Sequence, residues 1–276
     1  MPEGHTLHRL ARDLNRLFAG EAVRASSPQG RFIEGAALLD ATVFERAEAV
    51  GKHLFVRFAG GHHLHVHLGL YGTFEHDRVD PADDPPPPRG QVRLRIEADP
   101  GYADLRGATR CEVLTRAERR VAVARLGPDP LRRGADGALA YERIARSAQG
   151  IGALLMHQEV LAGVGNVYRA ELLFRHGVDP FLAGRALPRA TWDSMWDDLR
   201  ALMRDGVRKG RIDTTRPAHT PRAMKRPPRK DRHGGDVYVY RRAGDPCYVC
   251  GTPVATTEVE GRNLFWCPTC QPRGAG

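Results

Sequence analysis

The sequence predicts an α+β chain of two domains: a β-sandwich flanked by helices, then a helical domain that ends in a cysteine-bearing β-hairpin. Three observations predict it. From about residue 21 to 126, apolar and polar residues alternate with a period of two, the pattern of half-buried strands. From about residue 136 the period lengthens to that of amphipathic helices. Four of the five cysteines fall in the last 30 residues, as two C-x-x-C pairs. A chain of 276 residues can bury two cores. The expected divisions are 1–126, a linker at 127–137, a helical domain at 138–236 and a cysteine module at 237–276.

Each element has its own signal. Leu7, Leu10, Leu14 and Leu17 recur at three- and four-residue steps, with Phe18 beside them, so residues 5–19 read as a helix closed by Gly20. Phe55 to Phe58, Gly60-Gly61, His62 to Leu68 and Tyr71 to Phe74 read as a hairpin and a continuing strand. Val92, Leu94 and Ile96 alternate with Arg93 and Arg95, and Asp77 to Gly90 is a loop holding four consecutive prolines. Gly127-Pro128-Asp129-Pro130 breaks the strand pattern. Helices are expected over Leu139–Ala148, Ile151–Leu161 and Val167–His176, the last two around the turn Ala162 to Asn166. Pro188 opens a longer helix with Trp192, Met195, Trp196, Leu199, Leu202 and Met203 on its apolar stripe. Residues 207–236, rich in Arg, Pro and Gly, read as a long basic loop, and a strand is expected from Val237.

The formal net charge is +9, and only four of the 42 basic residues are lysines: Lys52, Lys209, Lys225 and Lys230. Such a surface suits a polyanion, and guanidinium forks fit phosphate oxygens. No run of 18 apolar residues and no basic-then-apolar leader is visible. A membrane span is therefore not expected, and the cytoplasm is.

Cys247-x-x-Cys250 and Cys267-x-x-Cys270 stand 16 residues apart. This is the spacing of a four-thiolate structural zinc site, closed and therefore not catalytic. Cys111 stands alone and reads as a small apolar residue. The hairpin between the cysteine pairs carries Arg262 at its tip, either a solvated turn residue or a phosphate clamp. Gly163-Val164-Gly165-Asn166 opens a helix, where amides can meet an anion and Asn166 can cap. His63, His65 and His67 share one strand face without a carboxylate at useful spacing along the chain, so a structural role outweighs a metal site. Leu70 and Tyr71 are either core residues or an apolar wedge. Lys52 is the only lysine before residue 209. Pro2-Glu3 is an ordinary start by itself. Once Met1 is removed, however, Pro2 is a free secondary amine that can attack an aldehyde-like carbon, with Glu3 one residue away to move protons.

Together these residues resemble the formamidopyrimidine-DNA glycosylase and endonuclease VIII family of DNA repair enzymes. The resemblance spans Pro2-Glu3-Gly4, Gly51-Lys52, Leu70-Tyr71-Gly72, Gly127-Pro128-Asp129, Gly163 to Asn166, and Arg262 through Cys270. It implies a helix–two-turn–helix around residues 151–176 and a bifunctional glycosylase and AP lyase. Pro2 would be the nucleophile, Glu3 the acid and Lys52 a phosphate-binding proton-transfer group. Asn166, Arg262 and His67 would hold DNA, while Leu70 and Tyr71 would fill the gap left by a flipped base. One structural zinc ion and damaged DNA, bound by a monomer, complete the implied set.

Pro2-Glu3-Gly4 and Leu70-Tyr71 look like the endonuclease VIII branch, which favours oxidised pyrimidines. His67-Leu68-Gly69 looks more like the other branch. His5-Thr6 stands where both carry Pro-Glu. An AP lyase with weak base excision, or a non-catalytic zinc-ribbon DNA-binding protein, are the alternatives.

Overall fold

The computed structural model describes residues 2–80, 83–99, 101–229 and 235–274. Met1 and Lys230 lie outside this set. The chain divides into two compact units that meet in sequence between Arg125 and Leu126. No helix among the described residues is long and apolar enough to cross a membrane.

The first unit begins with α1 (Gly4–Phe18), then β1 (Ala22–Ser26), α2 (Ile33–Leu39), β2 (Thr42–Val50), β3 (His53–Phe58), β4 (His63–His67) and β5 (Thr73–Arg78). It closes with β6 (Val92–Ala98), β7 (Gly101–Arg106), β8 (Arg110–Leu114) and α3 (Arg116–Ala124). The strands form one ladder in the order β5-β7-β6-β1-β2-β3-β4-β8. β1 and β2 share only two residue pairs, Ala22 with Val43 and Val23 with Thr42. This narrow joint lets the ladder fold into two four-stranded arcs. Leu94, Ile96, Ala103 and Leu105 of one arc share a single buried cluster with Leu54, Val56, Leu64 and Val66 of the other. That is the expected sandwich.

α1 is seated by its leucine stripe. Leu7, Leu14 and Phe18 are fully buried, and Leu10 and Leu17 nearly so. Asn15 adds a polar clamp: its Nδ2 donates to Ala47 O and its Oδ1 accepts from Ala47 N, both at 2.7 Å. The clamp lies just beyond the bulge of β2 at Phe44/Arg46, where the ladder register shifts. A helix held by both its stripe and this amide fixes its own N-terminus, which would otherwise fray.

The second unit contains α4 (Gly137–Ile144), α5 (Ile151–Leu154), α6 (Asn166–Arg175), α7 (Arg189–Lys209) and the hairpin β9 (Ala255–Val259) and β10 (Arg262–Trp266). α6 is buried from Asn166 through Phe174, so it is the central helix of the unit. α7 packs Trp192, Met195, Trp196, Leu199 and Met203 inward, with Leu202 only partly covered. Trp192 Nε1 donates to Gly137 O at 2.9 Å, and a Cβ on Gly137 would stand 2.6 Å from the Trp196 ring. Residues 127–137 are tied into this unit as well: Gly127 N donates to Gln158 O and Ala162 N to Pro128 O.

Four expectations change in detail. The helix expected over 139–148 runs from Gly137 and ends at Ile144. The helix expected over 151–161 stops at Leu154 and gives way to turns. There the Gln158 side chain replaces helical bonding: Oε1 accepts from Gly163 N, and Nε2 donates to Met156 O and Val164 O. The basic loop begins after α7 ends at Lys209, and it is anchored by buried Ile212 and Thr214. No strand forms at Val237–Tyr240 although all four residues are buried. The N–H groups of Tyr238, Val239 and Tyr240 donate to the Glu171 carboxylate at 2.6, 2.8 and 2.9 Å. One carboxylate does the work of a neighbouring strand.

Candidate active site and nucleic-acid interface

In the first unit, Glu3 is the N-cap of α1 and is fully buried. Its carbonyl accepts from Thr6 N at 2.9 Å, and its side chain does not cap the helix. Pro2 directly precedes Glu3 and is half-buried. His5 is buried. Burial above all, with Arg9 nearby, pushes its pKa down to about 4, so the ring adds no charge beside Glu3 at neutral pH.

Lys52 lies in the turn between β2 and β3. Register brings further groups to the same end of the sheet: His53 stands opposite His67, and His67 opposite Arg110. His65 stands opposite Glu112. Its Nδ1 lies 2.9 Å from Glu112 Oε1, and its other ring nitrogen lies 2.9 Å from His53 Nδ1. The carboxylate missing along the histidine strand is therefore supplied from across the sheet. Of the alternating His63, His65 and His67, only the latter two join this corner, since His63 Nδ1 bonds Gly61 O at 3.1 Å. No metal-sized grouping includes them among the described residues.

The turn after β4 presents Leu70 at 40% and Tyr71 at 88% exposure. Glycine is required on either side. Gly69 has φ +70°, and a Cβ there would come 2.4 Å from Thr109 Cγ2; a Cβ on Gly72 would come 2.3 Å from Leu68 O. The two apolar side chains are thus held outward by a turn too tight for any other residue at its ends. Core burial, the ordinary fate of such residues, does not apply here.

In the second unit, Asn166 is the first residue of α6 rather than its cap, which is Gly165. Asn166 Nδ2 donates to Asn263 O at 2.9 Å, and its Oδ1 accepts from Arg169, which also donates to Asn263 O. An amide nitrogen carries two hydrogens, and this bond uses one. The Gly163 amide is taken by Gln158, so the turn does not leave it for an anion. Arg262 begins β10, paired with Val259 across the turn Glu260-Gly261. Glu260 at that tip accepts from Gln149 Nε2 and pairs with His157 Nε2 at 2.9 Å.

The four cysteine sulfurs lie within 4.8 Å of one another, with Cys247–Cys270 at 3.9 Å and Cys250–Cys267 at 3.4 Å. A tetrahedral Zn–S distance of about 2.3 Å separates sulfurs by about 3.8 Å, so the set fits zinc. Val249 N and Cys270 N point to Cys247 and Cys267 sulfurs at 3.5 Å, as N–H groups do around thiolates. Cys111 is half-buried, and burial raises its pKa to about 12, which makes it unreactive.

Chelation should release β9 and β10, because Cys247, Val254, Phe265 and Cys267 belong to the unit's core. DNA affinity should fall more than about tenfold and return when Zn²⁺ is restored. Unchanged affinity in metal-free protein, checked by fluorescence anisotropy, would exclude this bracing role.

Three family models match the chain: the formamidopyrimidine-DNA glycosylase N-terminal domain over residues 1–111, its H2TH domain over 126–217, and the zinc finger found in FPG and IleRS over 244–273. The chain is 53% identical over 272 residues to Endonuclease 8 1 of Mycobacterium tuberculosis, covering 98% of this chain and all of that protein. The chain belongs to the formamidopyrimidine-DNA glycosylase and endonuclease VIII family. A DNA-(apurinic or apyrimidinic site) lyase of Mycolicibacterium smegmatis is 31% identical, covering 98% of this chain and 99% of its own. The crystal structure of the MutM (FPG) protein of Thermus thermophilus matches with a TM-score of 0.78 and 27% identity, over 99% of this chain and all of that one. The zinc finger and the two-domain fold are family features here. His53, His65, Thr109, Arg110 and Glu112, by contrast, were not among the expected site residues. Their signal is cross-strand register, which becomes readable only once β3, β4 and β8 are aligned.

Proposed function

We propose that this chain is a bifunctional DNA glycosylase and AP lyase of base excision repair that uses Pro2 as nucleophile. The observation that carries the proposal is the buried Glu3 carboxyl, held beside Pro2 at the start of a helix clamped onto the sheet. A flipped nucleotide presents its C1′, which is out of reach inside the stack. The Pro2 nitrogen lone pair forms a bond to C1′ as the C1′–base bond breaks; the electrons of that bond leave with the base, which takes up the proton released from the Pro2 nitrogen. Glu3 gives its proton to the sugar ring oxygen, the ring opens, and an iminium ion remains. The iminium acidifies the C2′–H bond. Loss of that proton expels the 3′ phosphate (β-elimination), and a second elimination expels the 5′ phosphate.

Lys52 and His67 face a phosphate in the first unit, and Asn166 and Arg262 do so in the second. Leu70 and Tyr71 fill the gap left by the flipped base. Zinc takes no part in the chemistry; it braces the hairpin that bears Arg262. The substrate is damaged DNA, duplex or with single-stranded character, bound by a monomer in the cytoplasm. Two apolar residues exposed side by side, and the identity to a protein named Endonuclease 8 1, support oxidised pyrimidines as preferred lesions.

Borohydride trapping tests the reading. Protein with a free Pro2 amine should form a covalent adduct with a duplex carrying an oxidised pyrimidine, and protein whose Pro2 nitrogen is acylated should form none. Trapping at an abasic site but never at a damaged base would reduce the protein to an AP lyase. No adduct at either would leave a zinc-ribbon DNA-binding protein.

A further inference from the structure

The corner formed by the starts and ends of β3, β4 and β8 holds more titratable groups than a phosphate contact needs. Their hydrogen bonds determine which nitrogen of each ring carries the proton. Glu112 is ionised: burial works against its charge, but bonds from Arg110 and His65 outweigh it and hold its pKa below the usual carboxylate range. A carboxylate only accepts, so His65 Nδ1 is the donor. Neutral His65 then accepts at Nε2, and His53 Nδ1 is the donor to it. His67 is set separately. Thr109 Oγ1 donates its single hydrogen to His67 O at 3.0 Å. The same oxygen lies 2.9 Å from His67 Nδ1 and must accept there. All three rings are therefore Nδ1–H tautomers. In the neutral state, His67 turns a lone pair, not a hydrogen, outward from Nε2.

A lone pair repels a phosphate oxygen. A neutral histidine free to turn or to change tautomer could offer Nε2–H, but Thr109 withholds that option. We infer that His67 engages a DNA phosphate only as the imidazolium, so that DNA binding takes up one proton at this residue. The inference rests on the reading of the chain as a DNA-binding repair enzyme.

The surroundings favour the switch. The groups facing His67 are Lys52 from the β2–β3 turn, His53 from β3, His65 on its own strand, and Arg110, Thr109 and Glu112 from the β8 side. The His53 and His67 ring centroids are 4.9 Å apart. Burial first, then Lys52, His65 and Arg110, lower the pKa of His67, so the free protein holds it neutral near pH 7. An arriving phosphate reverses the sign of the local field and raises it. His65 and His53 do not compete for the proton: His65 is 2% exposed, and burial with the neighbouring rings pushes the pKa of His53 down to about 3. His67 is half-buried at the strand end, as is His53, whose Nδ1 is already engaged by His65.

The sign is fixed by linkage. The pKa is higher in the complex than in the free protein, so affinity is greatest below the free-protein value and declines as pH rises from there to the bound-state value, by up to about tenfold per unit.

Calorimetric titration of the full, zinc-loaded chain with a duplex bearing a tetrahydrofuran abasic analogue tests this. Titrations run at about pH 7 in buffers of different ionisation enthalpy, PIPES and Tris, give the proton count. Wild type should take up about one proton more than His67→Gln. Thr109→Val keeps the side-chain shape but frees the tautomer, so it should still bind while its proton uptake falls towards that of His67→Gln. A wild type that binds without buffer dependence, or a Thr109→Val protein with undiminished uptake, overturns the inference and leaves the DNA-binding reading intact. No binding of the duplex by wild type overturns both.

Discussion

Glu3→Gln should reduce excision of a damaged base by about 10²–10⁴-fold while leaving borohydride trapping at a preformed abasic site measurable. Gln fills the same buried volume, so α1 and its seat on β2 should not move. What is lost is the transferable proton. Excision requires it when the ring oxygen takes up charge, whereas an abasic site already exists in part as the open aldehyde and needs only the Pro2 amine. Single-turnover kinetics on the two substrates separate the steps. An equal loss on both would mean that Glu3 serves mainly to place Pro2. No loss on either would remove Glu3 from the mechanism.

Glu171→Ala should destabilise the second unit by about 3–5 kcal/mol, because it strips a buried set of donors of their shared carboxylate. Tyr238, Val239 and Tyr240 give it their backbone N–H groups, and Thr214 gives its hydroxyl. None of these can turn to water, since Thr214 and the three N–H-bearing residues are at most 2% exposed. In a unit of this size the loss corresponds to a Tm lowered by roughly 10 °C. Glu171→Gln keeps one accepting oxygen but turns an NH₂ group towards the remaining donors, so its loss should fall between wild type and Glu171→Ala. Chemical denaturation measures both. A loss below about 1 kcal/mol for Glu171→Ala would show that the 237–240 segment is held by its apolar packing alone.

These two carboxylates also show what a linear sequence discloses. Glu3 could be singled out because its chemistry is local: it stands beside Pro2 and before a leucine stripe of period 3.6. The cysteine pairs were legible for the same reason, since a thiolate site is built from short spacings. Trp192 to Met203 disclosed α7 by periodicity.

Glu171 gives no such sign, because its partners lie 43 to 69 residues away. Val237 to Tyr240 therefore read as a strand, which is what four apolar residues usually mean. Gln158 likewise ends α5 early through side-chain bonds that propensity does not encode. Glu112 stands 47 residues from His65 and beside it only in the folded sheet, so no carboxylate flanks the histidine strand along the chain. What was missed is non-local polar pairing; what was found is local pattern.

The bond from Asn166 to the backbone of Asn263 has a mechanical corollary. Arg262 is the adjoining residue in the chain, so under the proposed function the Asn166 amide and the start of β10 would meet DNA at one fixed spacing. Arg169 locks the gap by holding both Asn166 and Asn263. Under the proposed function, a fixed spacing would select for the interval between phosphates rather than for chemical identity. Stiff, well-stacked duplex would meet that interval only at the cost of bending, and a nucleotide step loosened by damage would meet it more cheaply. Selectivity of this kind would come before any inspection of the base, from the geometry of an amide bonded to a strand.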